Sequence, residues 1–201
     1  MASPTTKPTM KERILETADR LFYLRGIRAI GVDTIAAEIG ISKRTLYNHF
    51  PSKDALISAY LDRRSVQRPP SDKSPVEQIL GIFDSLERRF ASKEFRGCPF
   101  VNAVAEVGPE NPSVRKIAVA FKESRRLWFR DLLVKIGVAD PEGLATQLVL
   151  LVDGSIAQDL VRDDPAMARA AKEAAKMLLS GAGVRVDDPS SAPQPKSRTK
   201  G

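Results

Sequence analysis

The sequence predicts an all-α protein. Apolar residues recur at helical spacing from Met10 onward, and no stretch shows the alternation of a β-strand or an Asn-Gly hairpin turn. The 201 residues are 42% hydrophobic and 28% charged, which is ordinary globular composition. A chain of this length can bury a sizeable core, in one large domain or two small ones.

Four helices are expected in the first third of the chain. Their predicted positions are residues 10–25, 32–39, 43–49 and a segment beginning near residue 52. Gly26 and Gly40 end the first two helices, because glycine is the common residue just past a helix. Ser42 is a good N-cap for the third helix, and Pro51 follows its end.

A proline-rich break, RPPSDKSP, covers residues 68–75 and predicts a domain boundary between residues 10–67 and 75–183. Further helices are expected at about residues 75–91, 99–107, 112–136, 141–161 and 165–179, most of them opening near a proline. Residues 1–9 should form a disordered arm. Residues 184–201 have few apolar groups and many Pro, Ser and Lys residues, and should form a disordered basic tail.

The positive charge is concentrated at the two ends of the chain. The formal net charge of +7 divides into +4 for residues 1–64, +1 for 65–183 and +2 for 184–201. A basic N-terminal module beside a nearly neutral one is typical of a protein that binds a polyanion, although solubility alone is the alternative interpretation. No membrane span or secretory signal is found in the sequence, so we expect a cytoplasmic protein that does not bind membranes.

The sequence argues against an enzyme. The single cysteine, Cys98, excludes an internal disulfide framework and a cysteine-based metal cluster within one chain. Neither Cys98 nor the single histidine, His49, has a catalytic partner at a recognisable spacing. A small helical enzyme that uses Cys98 is therefore a remote alternative, and no cofactor or metal is expected. Cys98 itself is either a buried, inert residue or a redox sensor.

Helices two and three are joined by Gly40-Ile41-Ser42, the short glycine-containing turn of a helix-turn-helix motif. The residues expected to face helix one are apolar: Ile35, Ala36, Ile39, Ile41, Leu46 and Phe50. The residues left to face outward can donate to base edges or bind phosphates: Lys43, Arg44, Thr45, Tyr47, Asn48 and His49, followed by Lys53.

Each outward residue also has a purely structural interpretation. Lys43 and Arg44 could form a solvated face, and His49 and Tyr47 could be packing residues. Thr34 and Thr45 could be capping or surface hydroxyls. Their joint placement on one helix face, within the basic third of the chain, favours DNA binding.

The first third resembles the DNA-binding domain of the TetR family of bacterial transcriptional regulators. The resemblance covers residues 13–61, RILETADRLFYLRGIRAIGVDTIAAEIGISKRTLYNHFPSKDALISAYL. It rests on a set of residues at the family's spacings: Leu21-Phe22, Gly26, Ile35-Ala36, Gly40, Ser42, Leu46-Tyr47, Phe50 and Ser52-Lys53-Asp54. It implies a three-helix head with a helix-turn-helix, a larger helical ligand-binding and dimerisation domain, and repression relieved by a small molecule.

The resemblance also implies roles for individual residues. The positions that resemble base-contacting residues are Lys43, Arg44, Thr45 and Asn48, and those that resemble backbone-contacting residues are Thr34, Tyr47, His49 and Lys53, with Ser42 as the helix cap. One position departs from the family pattern. Many members place Thr or Ser just before helix two, where this chain has Ile30 and Gly31, which supply no side-chain oxygen for a phosphate contact.

The remaining expectations concern a partner chain and a ligand. The apolar C-terminal helices, about residues 144–180, are expected to form a homodimer, so that two heads reach one DNA operator. Candidate ligand-binding residues are the aromatic and polar side chains Phe83, Phe90, Cys98, Phe100, Asn102, Phe121, Trp128 and Asp153, with Glu106 and Phe129 as further possibilities. An activator, or a regulator without an inducer, is the alternative to a ligand-released repressor.

Overall fold

The computed structural model describes residues 8–65 and 70–186. Within these ranges the chain forms helices and turns without a strand, which confirms the predicted all-α class. The helices are α1 (Met10–Arg25), α2 (Val32–Glu38), α3 (Lys43–His49), α4 (Lys53–Arg64), α5 (Pro75–Phe90), α6 (Pro99–Val107), α7 (Pro112–Lys135), α8 (Pro141–Arg162) and α9 (Ala166–Gly181). The predicted helices are all present, with ends shifted by at most two residues. Most of the predicted arm and tail, residues 1–7 and 187–201, and residues 68–69 of the break lie outside the described ranges.

The chain divides into two compact units. The head unit contains the described residues of Met1–Gln67 together with Arg96–Phe121, and the bundle unit contains those of Arg68–Phe95 and Lys122–Gly201. Helix α6 and the first part of α7 thus group with α1–α4, although they follow α5 in the sequence. The division into functional domains at residues 10–67 and 75–183 stays a prediction.

Local capping fixes both ends of α1. The Thr9 hydroxyl accepts a hydrogen bond from the Glu12 amide at 3.3 Å, and the Glu12 carboxylate accepts one from the Thr9 amide at 2.7 Å. This capping box satisfies amides that would otherwise lack partners at the helix start. The helix ends at Gly26, whose φ of +90° strains any residue with a Cβ.

The core of the head unit forms where α1 packs against α2 and α4. Its buried side chains include Ile14, Ala18, Leu21, Phe22, Ile35, Ala36, Leu46, Phe50, Leu56, Ile57, Tyr60 and Leu61. Phe22 and Tyr60 meet edge to face, with ring centroids 5.6 Å apart. Ile39 and Ile41 were expected to be buried with these residues, but both are only half-buried, because they flank the exposed turn between α2 and α3.

The bundle unit is built around α5, α8 and α9. Helix α5 begins with a second capping box, formed by Ser74 and Glu77. The small residues Ala168, Ala171 and Ala175 of α9 are buried, which allows this helix to approach α5 and α8 closely. Ion pairs join Lys172 to Asp84 at 2.5 Å and Arg169 to Glu87 across the α5–α9 contact.

Helix α8 is the one described helix that is long and apolar enough, by length and composition, to cross a membrane. Within the bundle unit it packs against α9 and α5 and buries seven of its residues. Core helices of soluble proteins pass the same test of length and composition. The composition of α8 is therefore weak grounds for a membrane span.

Candidate DNA-binding surface

The turn between α2 and α3 sets the direction of the third helix. Gly40 has a φ of +70°, the left-handed conformation that glycine adopts without strain. The amide of Gly40 donates to the Ala37 carbonyl at 3.2 Å, and that of Ile41 donates to the Ala36 carbonyl at 3.0 Å. No atom outside the turn lies within 4 Å of a Cβ built on Gly40, so the backbone angle, rather than space, requires glycine here.

Helix α3 is fixed at both ends and on its inner face. The Ser42 hydroxyl accepts from the Thr45 amide at 3.0 Å and shares a second hydrogen bond with the Thr45 hydroxyl at 2.9 Å. Leu46 is fully buried, and Phe50 closes the helix by donating its amide to the Leu46 carbonyl. Because these contacts come from the inner face, the outer face of the helix remains open to a partner.

The outer face of α3 carries most of the residues predicted to contact DNA. The exposed residues are Lys43, Arg44, Tyr47, Asn48 and His49, and the structure therefore brings these five predicted residues together. Lys43 and Tyr47 are four residues apart, as are Arg44 and Asn48, so each pair shares one side of the helix. The Lys43 ammonium donates to the Asp33 carboxylate at 2.9 Å, and this hydrogen bond raises the pKa of Lys43.

The other predicted residues differ in their exposure and hydrogen bonds. Thr34 is exposed on α2, whereas Thr45 is half-buried and its hydroxyl is engaged with Ser42. The ammonium of Lys53 donates to the Ile27 carbonyl at 2.6 Å, and partial burial lowers the pKa of Lys53. Gly31 is the N-cap of α2 and makes no side-chain hydrogen bond, as the departure from the family pattern implied.

A second set of polar contacts joins α1 and the following turn to residues 96–110 of the same unit. The Tyr23 hydroxyl donates to the Gly97 carbonyl at 3.1 Å and accepts from the Arg96 amide at 3.0 Å. The Glu106 carboxylate accepts from the Arg28 amide at 2.9 Å, while the Arg28 guanidinium bonds to the Glu106 carbonyl and to Glu110. No motif in the sequence pointed to these contacts, since the partners are more than 70 residues apart.

The end of α4 is held against α1 by Arg64. Its guanidinium makes two hydrogen bonds to the Asp19 carboxylate, Nε to Oδ1 at 2.7 Å and Nη2 to Oδ2 at 2.9 Å. The same guanidinium lies 4.1 Å from the centroid of the Tyr23 ring, which adds a cation–π contact. Arg64 thereby fixes the last turn of α4 relative to the core of the head unit.

The predicted ligand-binding residues are divided between the two units. Cys98, Phe100, Asn102 and Phe121 belong to the head unit, and Phe83, Phe90, Trp128 and Asp153 to the bundle unit. In the head unit, the rings of Phe100 and Phe121 stack with centroids 3.7 Å apart, and the Asn102 amide donates to the Arg96 carbonyl at 2.6 Å. Cys98 is buried at the N-cap of α6.

In the bundle unit, Phe83 and Phe90 are core residues of α5. Trp128 contacts Phe129 edge to face with centroids 5.0 Å apart. Asp153 is half-buried and accepts from the Lys122 ammonium at 2.5 Å, with the Arg125 guanidinium 3.8 Å away. Glu106, a further candidate ligand contact, belongs to the head unit, where its carboxylate accepts from the Arg28 amide.

Comparisons with known proteins identify the family to which the chain is similar. A family model described as bacterial regulatory proteins, tetR family, matches residues 14–60, and one described as tetracyclin repressor-like, C-terminal domain, matches residues 109–181. A solved structure of a TetR-type transcriptional regulator from Streptomyces avermitilis is 30% identical. It has a TM-score of 0.78, and the match covers 89% of this chain and all of that one. The chain belongs to the TetR family.

Two curated relatives are similar to this TetR-family chain over most of its length. The uncharacterized regulator YxaF of Bacillus subtilis is 28% identical over 80% of this chain and 90% of its own. The transcriptional repressor KstR2 of Mycolicibacterium smegmatis is 28% identical over 69% of each chain. The protein is accordingly a DNA-binding transcriptional regulator and not an enzyme, and α2 and α3 are its helix-turn-helix.

The TetR-family chain also exposes an apolar surface on its last two helices. Leu150 and Val161 of α8 have 65% and 85% of their surface exposed, and Met177 of α9 has 76%. Gly154 and Ala157, which lie between Leu150 and Val161 at helical spacing, are exposed as well. Large apolar side chains that share a helix face in this way are typical of a protein interface.

Proposed function

We propose that the protein is a cytoplasmic homodimeric repressor that leaves its DNA operator when a small molecule binds. The observation that carries the proposal is the exposed face of α3, where cations, an amide and a tyrosine hydroxyl project from a helix that Leu46 and Ser42 hold rigidly. The similarity of the chain to a named repressor, KstR2, supports repression rather than activation.

The residues of α3 have distinct proposed roles. Lys43 and Arg44 donate to guanine O6 and N7 in the major groove, and the Asn48 amide pairs with adenine N6 and N7. Tyr47 and His49, at the edge of the same face, contact phosphates, as do Thr34 and Lys53 on the neighbouring helices. Thr45 contacts the bases through its methyl group and through the hydrogen-bonding capacity that its hydroxyl retains beside the bond to Ser42.

Dimerisation follows from the need to place two heads on one operator. Two helix-turn-helix motifs that bind successive major grooves on one face of DNA lie roughly 34 Å apart. The exposed apolar face of α8 and α9 supplies the two-fold interface, because burying Leu150, Val161 and Met177 removes their apolar surface from water. The paired helices of the two chains would then form a four-helix bundle.

The ligand is proposed to act by favouring a head separation that does not fit the operator. Such a ligand needs differential affinity for the two states, and a coupling of roughly 1–3 kcal/mol is typical of allosteric proteins. The candidate contacts in the bundle unit are the rings of Phe83, Phe90 and Trp128 and the carboxylate of Asp153. Apolar walls with a few polar groups suit a small organic molecule.

Genome-wide mapping of the DNA bound by the protein tests the proposal. We expect a small number of sites with a palindromic sequence, and increased transcription of the adjacent genes when the regulator is deleted. Decreased transcription in the deletion strain would indicate an activator instead. An inducer is then sought among the substrates of the neighbouring genes, by release of the purified protein from the mapped sequence.

A further inference from the structure

Asp33 holds the first residue of the DNA-binding helix. It lies in the first turn of α2, and its carboxylate accepts from the Lys43 ammonium at 2.9 Å. Both side chains are well exposed, Asp33 at 70% and Lys43 at 52%. An exposed negative charge on α2 therefore lies against Lys43, the cation that begins α3.

We propose that Asp33 is a specificity-determining residue, which suppresses binding to random DNA by occupying the Lys43 ammonium and repelling phosphates. The proposal rests on the DNA-binding role of the α3 face. Affinity for random DNA comes almost entirely from cations that neutralise phosphates. A carboxylate that engages one of these cations weakens binding to every sequence.

The operator offsets this loss where a base edge replaces the carboxylate. On the operator, the Lys43 ammonium can leave the Asp33 carboxylate and donate to guanine O6 and N7 instead. A contact to phosphate alone does not offer this pair of acceptors in the same geometry. The Asp33 carboxylate can in turn accept from a cytosine amino group. Asp33 thus lowers the affinity for random DNA more than the affinity for the operator. Because specificity is the difference between these two binding free energies, a group that is unfavourable for binding can increase it.

The salt dependence of binding gives the expected magnitude. The logarithm of the affinity falls linearly with the logarithm of the salt concentration, and each phosphate that a protein cation neutralises makes this slope steeper by about 0.9. Freeing Lys43 in both heads of a dimer should therefore steepen the slope on random DNA by about 2. We expect the affinity for random DNA to rise about tenfold at low salt, and the affinity for the selected operator to rise less.

Helix α2 offers a matched control at its other end. Glu38 forms an exposed ion pair with Arg20 of α1 at 2.7 Å, with side-chain exposures of 46% and 51%. Glu38→Gln and Asp33→Asn each remove one negative charge from the same helix and keep the shape of the side chain. Of these two acidic residues, Asp33 is paired with a cation of α3 and Glu38 with a cation of α1, so a local effect and a general charge effect can be separated.

The test uses the full chain and fluorescence anisotropy with two labelled duplexes, one selected from a random library by the wild-type protein and one scrambled. We expect Asp33→Asn to raise the affinity for the scrambled duplex about tenfold and that for the selected duplex about twofold, and so to lower the ratio of the two about fivefold. Glu38→Gln should leave the ratio within about twofold, and Asp33→Asn should have little effect when Lys43→Met is also present. Equal effects of the two single variants, or an unchanged ratio in Asp33→Asn, would overturn the inference. Failure of the wild-type protein to select any sequence would instead overturn the DNA-binding role of α3.

Discussion

Replacing Arg64 by methionine should destabilise the head unit by about 2.5–3 kcal/mol. The side chain makes two charge-assisted hydrogen bonds to Asp19, at 2.7 and 2.9 Å. Such bonds contribute roughly 1.5–3 kcal/mol when shielded from water. Arg64 and Asp19 are 24% and 21% exposed, so we assign about 1 kcal/mol to each bond. The cation–π contact with Tyr23 adds about 0.5–1 kcal/mol.

The assay is thermal and urea unfolding followed by circular dichroism at 222 nm, a wavelength that reports helix content. A loss of this size lowers the melting temperature by roughly 5–12 °C in a chain of about 200 residues. Arg63→Met is the control, because Arg63 is adjacent and exposed and should change stability by less than about 0.5 kcal/mol. Asp19→Asn, alone and combined with Arg64→Met, gives the coupling energy of the pair. Equal stability of the Arg63 and Arg64 variants, or a coupling energy near zero, would refute the reasoning.

Three further predictions concern the DNA interface, pH and the dimer. Lys53→Ala should weaken binding to all DNA sequences alike and flatten the salt slope in anisotropy titrations, whereas loss confined to the selected sequence would assign Lys53 to base contact. Asp159 is buried, and desolvation raises its pKa above 3.8, so its ionisation costs stability above that pH. Asp159→Asn should therefore raise the melting temperature at pH 7, with a gain that disappears as the pH falls towards 3.8; a gain independent of pH would contradict this cause. Val161→Glu should convert the proposed dimer to monomers in sedimentation velocity, whereas Val119→Glu, on an exposed valine of α7, should leave that dimer intact.

The sequence predicted the helices well because their limits are set locally. Ser42 and Ser52 cap the helices that follow them, and Gly26 and Gly40 end helices through positive φ angles. The exposed face of α3 could be predicted for a similar reason. Once Leu46 is assigned to the core, the helical period places Arg44 and Asn48 on the opposite side of the helix and Tyr47 at its flank.

The long-range contacts could not be predicted from the sequence. Tyr23 with Gly97, and Arg28 with Glu106, depend on how distant helices pack, and no periodicity carries that information. The same limit applies to the candidate ligand contacts. Aromatic residues of a helical core look alike in sequence, so Phe83 and Phe100 were grouped although they belong to different units. The pairing of Lys43 with Asp33 joins two helices and was missed for the same reason.

The central claim is that the exposed face of α3 binds a specific DNA sequence. The most direct measurement is the affinity of the full chain for the selected and the scrambled duplex, for the wild type and for Arg44→Ala. Arg88→Ala serves as the control, since Arg88 is an exposed arginine in the last turn of α5, outside the head unit. The account predicts that Arg44→Ala weakens binding to the selected duplex at least about tenfold, with a much smaller loss on the scrambled one, and that Arg88→Ala changes neither. Equal losses on both duplexes, or equal effects of the two arginine variants, would contradict it.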